Sequence, residues 1–246
     1  MKLLTMILLS GMISGLAGNE PQFTKDVFET SEGDLAITFI GHGTLMFEFR
    51  NMVIHVDPVM AEADYKEMPD GDLVLVTHEH GDHLDLTALK HICAGDCPVV
   101  MTQACLDNLE EFNGAVVMKN GDTKTIKGIK IEAIPAYNIQ HKRGNGGPFH
   151  PKGQGNGYVV TFGDKRVLIG GDTENTPEIK QLRDIDIAFL PMNLPYTMTP
   201  EMVADAAKAI QPAVLYPYHY GQTDPQELVK LLKDEQGIEV RIRDLQ

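Results

Sequence analysis

Six consecutive residues, His78-Glu79-His80-Gly81-Asp82-His83, constrain this chain more than any other feature. They directly follow the apolar run Leu73-Val74-Leu75-Val76, so a covered strand ends where imidazoles and carboxylates crowd into a loop. Packing gives no reason for such a cluster. Zinc and similar ions do, because they take imidazole nitrogen and carboxylate oxygen from a stiff frame. His78 and His80 are two apart, project to the same side of extended backbone, and can chelate one ion. Asp82 and His83, at the turn into the next helix, can reach a second. The competing reading is an exposed acidic loop that holds no metal.

Each ion needs further donors, and three distant segments offer them. Gly170-Gly171-Asp172 puts a carboxylate at one strand end, and Tyr216-Pro217-Tyr218-His219 puts an imidazole at another. The Gly-rich, basic stretch from Ala136 to Gly157 carries His141 and His150. His150 is the preferred donor of the two. Pro151 stiffens it, and the segment after it leads straight into a strand, whereas His141 sits beside Lys142 and Arg143. Those two cations and Lys152 read as loop charges that, near two ions, could bind an anionic group.

The rest of the chain alternates strands and helices. Strands are expected at 35–40, 45–49, 53–57, 73–77, 98–101, 115–118, 128–134, 158–162, 166–170, 185–190 and 213–216. Helices are expected at 84–92, 106–112, 199–210 and from Asp224-Pro225 to Gly237. Residues 19–32 read as loosely ordered, and Asn120-Gly121 as a tight turn. Apolar residues on both faces of the strands imply sheets with helices outside. A chain of 246 residues of this kind is expected to form one domain, here 19–246. Residues 1–18, with Lys2, a short apolar run and small residues near Ala17, read as a signal peptide, which implies export to the periplasm or beyond. A buried first element in a cytoplasmic protein is the alternative. No other stretch resembles a membrane span. A net charge of −14 argues against nucleic acid but not against a small anionic substrate, since bound cations reverse the local field. An exported chain could pair two of Cys93, Cys97 and Cys105, and three small buried thiols are the equal alternative.

The signature His78, His80, Asp82, His83 with Asp57, Asp172 and His219 resembles the metallo-β-lactamase fold superfamily, from about Asp34 to the C-terminus. Gly41-His42 and Tyr196 to Pro200 resemble its branch of ascorbate-6-phosphate lactonase-like hydrolases. The resemblance implies an α/β fold, a four-layer αββα sandwich of two mixed sheets with helices outside. It implies two divalent ions, zinc first, with manganese or iron(II) as alternatives. His78, His80 and His150 would hold one ion, Asp82, His83 and His219 the other, and Asp172 would bridge them. Asp57 would support the ligands from behind. The chain departs from the family pattern after Ile134, where Pro135-Ala136-Tyr137-Asn138 stands without the usual histidine.

Two adjacent ions acidify a shared water, which points to hydrolysis of an ester, lactone, amide or phosphodiester bond in a small or lipid-like substrate. Asp82 would orient the nucleophile. His42, Tyr196 and Tyr218 are candidates to protonate the leaving group, with Tyr196 and Tyr218 lining the pocket. His55 and His91 read as structural, and Met192, Met198 and Met202 as packing. An iron-based redox protein is the second reading, although that branch usually carries an acidic residue where His80 stands. A non-catalytic metal-binding protein is the third.

Overall fold

Leu35, Ile37 and Phe39 share one face of a strand, and Leu45, Phe47 and Phe49 share a face of the next; all six are buried. A period of two with one apolar face needs a second apolar layer to cover it. The computed structural model, which describes residues 23–93, 95–109 and 112–245, supplies that layer as a second sheet. The signal-peptide reading at 1–18 and the expected domain start at 19 lie outside the described residues.

The first sheet runs in the order β1 (Thr24–Thr30), β2 (Gly33–Gly41), β3 (Thr44–Phe49), β4 (Met52–Val56), β5 (Leu73–Leu75), β6 (Val99–Met101) and β7 (Ala115–Val117). The second runs in the order β8 (Thr123–Ile126), β9 (Ile129–Ala136), β10 (Gly155–Phe162), β11 (Lys165–Ile169), β12 (Ile187–Pro191), β13 (Val214–Tyr218) and β14 (Glu239–Val240). Each sheet begins as an antiparallel meander through its first four strands and continues parallel through its last three. The two halves of the chain therefore repeat one topology. Between the sheets, Phe47 meets Phe162 at 5.5 Å, and Phe39 meets Tyr216 at 5.0 Å between ring centroids.

Helices α1 (Leu86–Ile92) and α2 (Gln103–Asp107) cover the outer face of the first sheet, where Ala88, Leu89, Ile92 and Cys105 pack with Val74, Val76, Val99 and Met101. Helices α3 (Pro177–Lys180), α4 (Pro200–Ile210) and α5 (Gln226–Leu232) join the main core with the second sheet. α4 starts as its sequence dictates: Thr199 Oγ1 accepts the Met202 N–H at 3.2 Å, and Pro200 occupies the first turn. It buries Met202, Val203, Ala206, Ala207 and Ile210, one stripe at helical spacing. The architecture is the expected αββα sandwich. Among the described residues, no helix is long and apolar enough to cross a membrane.

Several local expectations are corrected. Residues 24–30 are not loose but form β1. β8 was also not legible, and both are edge strands of mostly polar residues that pairing and side-chain contacts stabilise. Asn120-Gly121 is a tight turn as expected, with the Asp122 N–H on the Lys119 carbonyl at 2.9 Å, but it lies on the passage from the first sheet to the second. The hairpin turn between β8 and β9 is Lys127-Gly128, both with positive φ. The helix expected at 106–112 is α2, which begins three residues earlier because Thr102 caps it, its Oγ1 accepting the Cys105 N–H. The last helix ends at Leu232, and Gly237 (φ +100°) serves the turn into β14 instead. The long loop is 137–154, because β9 runs through Pro135 where β8 no longer pairs with it. The three cysteines are free thiols.

β1 is tied down from the far end of the chain. The Asp26 carboxylate takes hydrogen bonds from Arg243 at 2.7 and 2.8 Å, from Arg241 at 3.3 Å and from the Tyr216 hydroxyl. Burial pushes the Asp26 carboxyl up, but Tyr216 and Arg243 outweigh it and hold it below the usual carboxylate range. A depressed folded-state pKa means that the stabilisation is full above the ordinary carboxylate value and is lost as pH falls through the lowered one. Asp26→Ala should cost about 1–3 kcal/mol in urea unfolding at pH 7, and the deficit should shrink as the pH is taken below about 4. An equal deficit at both pH values would contradict this role.

Candidate metal centre

Every donor picked out in the sequence, apart from His141, arrives at one edge of the sandwich. His78 to His83 follow β5, Asp172 follows β11, and His219 follows β13, all at carboxyl ends of parallel strands. Strand directions converge there and the loops are free to carry chemistry. The turn between β2 and β3 adds His42, and the loop between β9 and β10 adds His150.

Asp172 is at the middle. Its Oδ1 lies 3.4 Å from His83 Nε2 and 3.4 Å from His219 Nε2. Its Oδ2 lies 3.2 Å from His150 Nε2 and 3.9 Å from His78 Nε2. His78 Nε2 in turn sits 3.1 Å from His80 Nδ1. On the other side, Asp82 Oδ2 is 3.7 Å from His219 Nε2, 4.0 Å from His83 Nε2 and 3.3 Å from His42 Nε2. Donor atoms of His78, His80 and His150 lie within 4.8 Å of one another, and so do those of His42, Asp82, His83 and His219. The Asp172 carboxylate faces both groups.

His83 Nε2, His219 Nε2 and Asp172 Oδ1 are buried without a hydrogen-bond partner. Buried polar atoms are rarely left so, and three aimed at one another fit a missing cation. Nitrogen and oxygen donors of this kind suit zinc and its neighbours.

The residues behind the donors fix their tautomers. Asp57, fully buried, accepts from Thr77 N at 2.7 Å, Thr77 Oγ1 at 2.7 Å and His83 Nδ1 at 2.8 Å. With Nδ1 donating, His83 presents Nε2 bare to the site. Asn138 does the same for His150: its Oδ1 accepts from His150 Nδ1 at 2.9 Å and from His150 N at 2.7 Å. The Asn193 amide stands 3.2 Å from His219 Nδ1. Glu174, with no exposure, accepts N–H bonds from Ile139, Gln140 and His141 at 2.7–2.8 Å and from the Asn138 side chain at 3.1 Å. One buried carboxylate thus shapes the loop that presents His150.

Backbone geometry is forced at the same points. His42, Asp57 and His219 have φ of 49°, 45° and 46°, a region uncommon for residues with a side chain. Gly43 admits nothing larger, since a Cβ there would stand 2.8 Å from the His83 ring. Gly171 (φ +63°) lies against the Asn156 carbonyl, where a Cβ would come to 2.7 Å.

Electrostatics follow from burial and crowding. Burial pushes His78 well below its ordinary value, and His83 beside it adds to that. Burial also lowers His80. Burial works against the charge on His83 too, but Asp172 and Asp57 outweigh it and push the ring up to about 9. Burial raises Asp172, yet His219 and His83 outweigh it and hold the carboxyl well below its usual range. Asp82 is lowered likewise, burial being outweighed by the hydrogen bonds of His219 and His42.

Two readings among the histidines separate cleanly. His150 stands in the cluster, whereas His141 lies outside it, 3.0 Å from Glu174. His55 is structural, with Nε2 3.0 Å from the Pro69 carbonyl. One pocket residue is corrected. Tyr218 does not line the cleft: it is fully buried, and its hydroxyl accepts the Gly171 N–H at 2.8 Å, which braces the turn into Asp172. Tyr196 does line it, in a cleft of about 380 Å³ with His80, Asp82, Phe149 and Asn193. Sequence reasoning placed Asn193 in the pocket wall but missed its contact with His219, and it missed the supporting roles of Thr77, Asn138 and Glu174. The missing family histidine after Ile134 was the available signal for Asn138, which occupies that place and supports a histidine from further along.

Known proteins resemble this chain in sequence and fold. The model of the beta-lactamase superfamily domain matches residues 36–219. A UPF0173 metal-dependent hydrolase of Methanopyrus kandleri is 29% identical over 227 residues, covering 85% of this chain and 95% of the relative. The crystal structure of a protein from Parabacteroides distasonis, described as a metal-dependent hydrolase, is 49% identical with a TM-score of 0.85, covering 91% of this chain and 100% of the other. Igni18, a metallo hydrolase from Ignicoccus hospitalis, is 22% identical with a TM-score of 0.70 over 86% of this chain and 95% of its own, a likeness of fold alone. The chain belongs to the beta-lactamase superfamily, among its metal-dependent hydrolases.

Proposed function

We propose that this hydrolase works with two divalent ions, zinc first, on an ester, lactone, amide or phosphodiester bond of a small molecule. The observation that carries the reading is the Asp172 carboxylate, which turns one oxygen to His83 and His219 and the other to His78 and His150. His78, His80 and His150 would hold one ion, and Asp82, His83 and His219 the other, with Asp172 common to both. What such ions supply is an acidified water and a polarised oxygen on the scissile group.

The chain's own groups do the rest. Asp82 is half exposed on the cleft, so one oxygen is free to accept a proton from the attacking water and align it. His42, 3.3 Å from Asp82 and with its ring centre 3.7 Å from that of His219 at a tilt of 41°, holds that carboxylate and can pass the proton on. The Tyr196 phenol, on the cleft wall, is placed to bond the leaving group. Phe149 packs edge-on to Tyr196 at 5.0 Å and keeps water from that side.

The test is turnover of a panel of nitrophenyl esters, lactones, anilides and phosphodiesters with and without chelator. Turnover should vanish on metal removal and return with zinc. Asp82→Ala should lower kcat by about 10²–10⁴-fold with the urea midpoint unchanged. Activity surviving in metal-free protein would sink the hydrolytic reading.

Elemental analysis of the purified chain should find two ions per molecule and fewer in Asp172→Ala; one ion per molecule in the parent would reject the paired centre. An absorption spectrum with iron bands would favour the redox alternative.

Asp57→Asn keeps shape but weakens the charge behind His83, and should lower zinc affinity by about 10–100-fold in a competition titration. Unchanged affinity would show that Asp57 serves folding alone.

A further inference from the structure

We propose that Arg143 sets the substrate class of this site, selecting a small molecule with an apolar or aromatic body and an anionic group at the end away from the scissile bond. The inference rests on the hydrolase reading above and goes beyond it by naming what the cleft accepts.

Among the described residues, Arg143 is the one cationic side chain, Lys or Arg, that lines the cleft. Among the described residues it has no carboxylate partner, although Asp82 and Asp172 share that cleft, whereas Lys152 on the same loop is neutralised by Glu178. Its place is nonetheless built. Its backbone N–H bonds to the Gly147 carbonyl at 2.7 Å, and its own carbonyl accepts the Gly146 N–H at 2.8 Å. One guanidinium nitrogen donates to the Phe149 carbonyl at 3.0 Å, and the guanidinium carbon lies 5.4 Å from the Phe149 ring centre. The loop turn and the ring together hold the head over the cleft, and several of its five donors remain available.

Electrostatics then decide what fits. A guanidinium facing a centre meant for cations is repelled unless an anion comes between them. A planar fork of donors suits a carboxylate or phosphate. The body of the ligand is set by the mouth of the cleft. Five large apolar side chains are strongly exposed among the described residues, and one of them, Tyr196 at 45%, lines the cleft; two others adjoin it in the chain, Leu194 at 42% beside the cleft residue Asn193, and Ile139 at 47% beside Asn138. The Asn138 side chain ties their two loops together through the Tyr196 carbonyl at 2.8 Å. An exposed tyrosine on the cleft wall, packed edge-on to Phe149 at 5.0 Å, offers an aromatic or apolar body a surface to lie against.

The test is calorimetric binding to the zinc-loaded protein of two probes of matched shape, 1,4-phenylenediacetate and 4-ethylphenylacetate. Both offer a carboxylate to the metal centre and a ring to Tyr196 and Phe149; only the first has a second anion. The parent should bind the dianion about tenfold more tightly or better. Arg143→Gln should bring the two affinities close to equal. Lys142→Gln, an equal change in net charge on the neighbouring residue, should leave the preference intact. Tyr196→Ala should weaken both probes alike. Failure of the parent to prefer the dianion, or to bind it, would overturn the proposal. So would a preference that survives Arg143→Gln, or one that Lys142→Gln removes as well. Loss of the hydrolytic reading would appear in the substrate panel and leave this ratio standing.

Discussion

A carboxylate with almost no exposure, ringed by four imidazoles, is the constraint on which this molecule depends. Asp172 has nitrogens of His83, His219, His150 and His78 at 3.2–3.9 Å from its oxygens. Taking such a charge out of water costs several kcal/mol unless opposite charge compensates it. The imidazoles supply only part of that: His83 is pushed up to about 9 by Asp172 and Asp57, whereas burial opposes protonation of His78. A metal cation supplies the remainder, which ties the folding of this edge to the chemistry performed there.

The repeated topology explains why the donors can meet. Each half of the chain sends its fourth strand to the same edge, with Asp57 directly after β4 and Asp172 three residues after β11. The two aspartates differ in use. Asp172 faces the donors, whereas Asp57 sits one layer back and orients His83 through Nδ1. Glu174 and Asn138 extend the same logic to the long loop, where carboxylate and amide contacts take the place of a regular element. Precision at the centre thus comes from polar contacts behind it, fixed in turn by the packed sheets.

Much of this was legible in the residue order. The strand at Leu73–Leu75, the His78–His83 cluster and the capped start of α4 at Thr199-Pro200 each carry their signal within a few residues. β1 and β8 were illegible because polar edge strands have no apolar period. The partners of β1, Arg241 and Arg243, lie more than two hundred residues away. Tyr218 was misplaced for a related reason. Beside His219 in the chain, it falls on the other face of β13, and the alternation of a strand sends it inward.

The sequence by itself determined the donor types, their grouping along the chain and the kind of sheet ends that present them, because those depend on local spacing and periodicity. Only the tertiary structure decided that His150 and not His141 joins the cluster, that Asn138 and Glu174 hold it there, and that Arg143 overlooks the cleft. Those outcomes depend on how a loop closes across the gap between two sheets. Contacts between residues distant in the chain set that closure, and no local pattern encodes them.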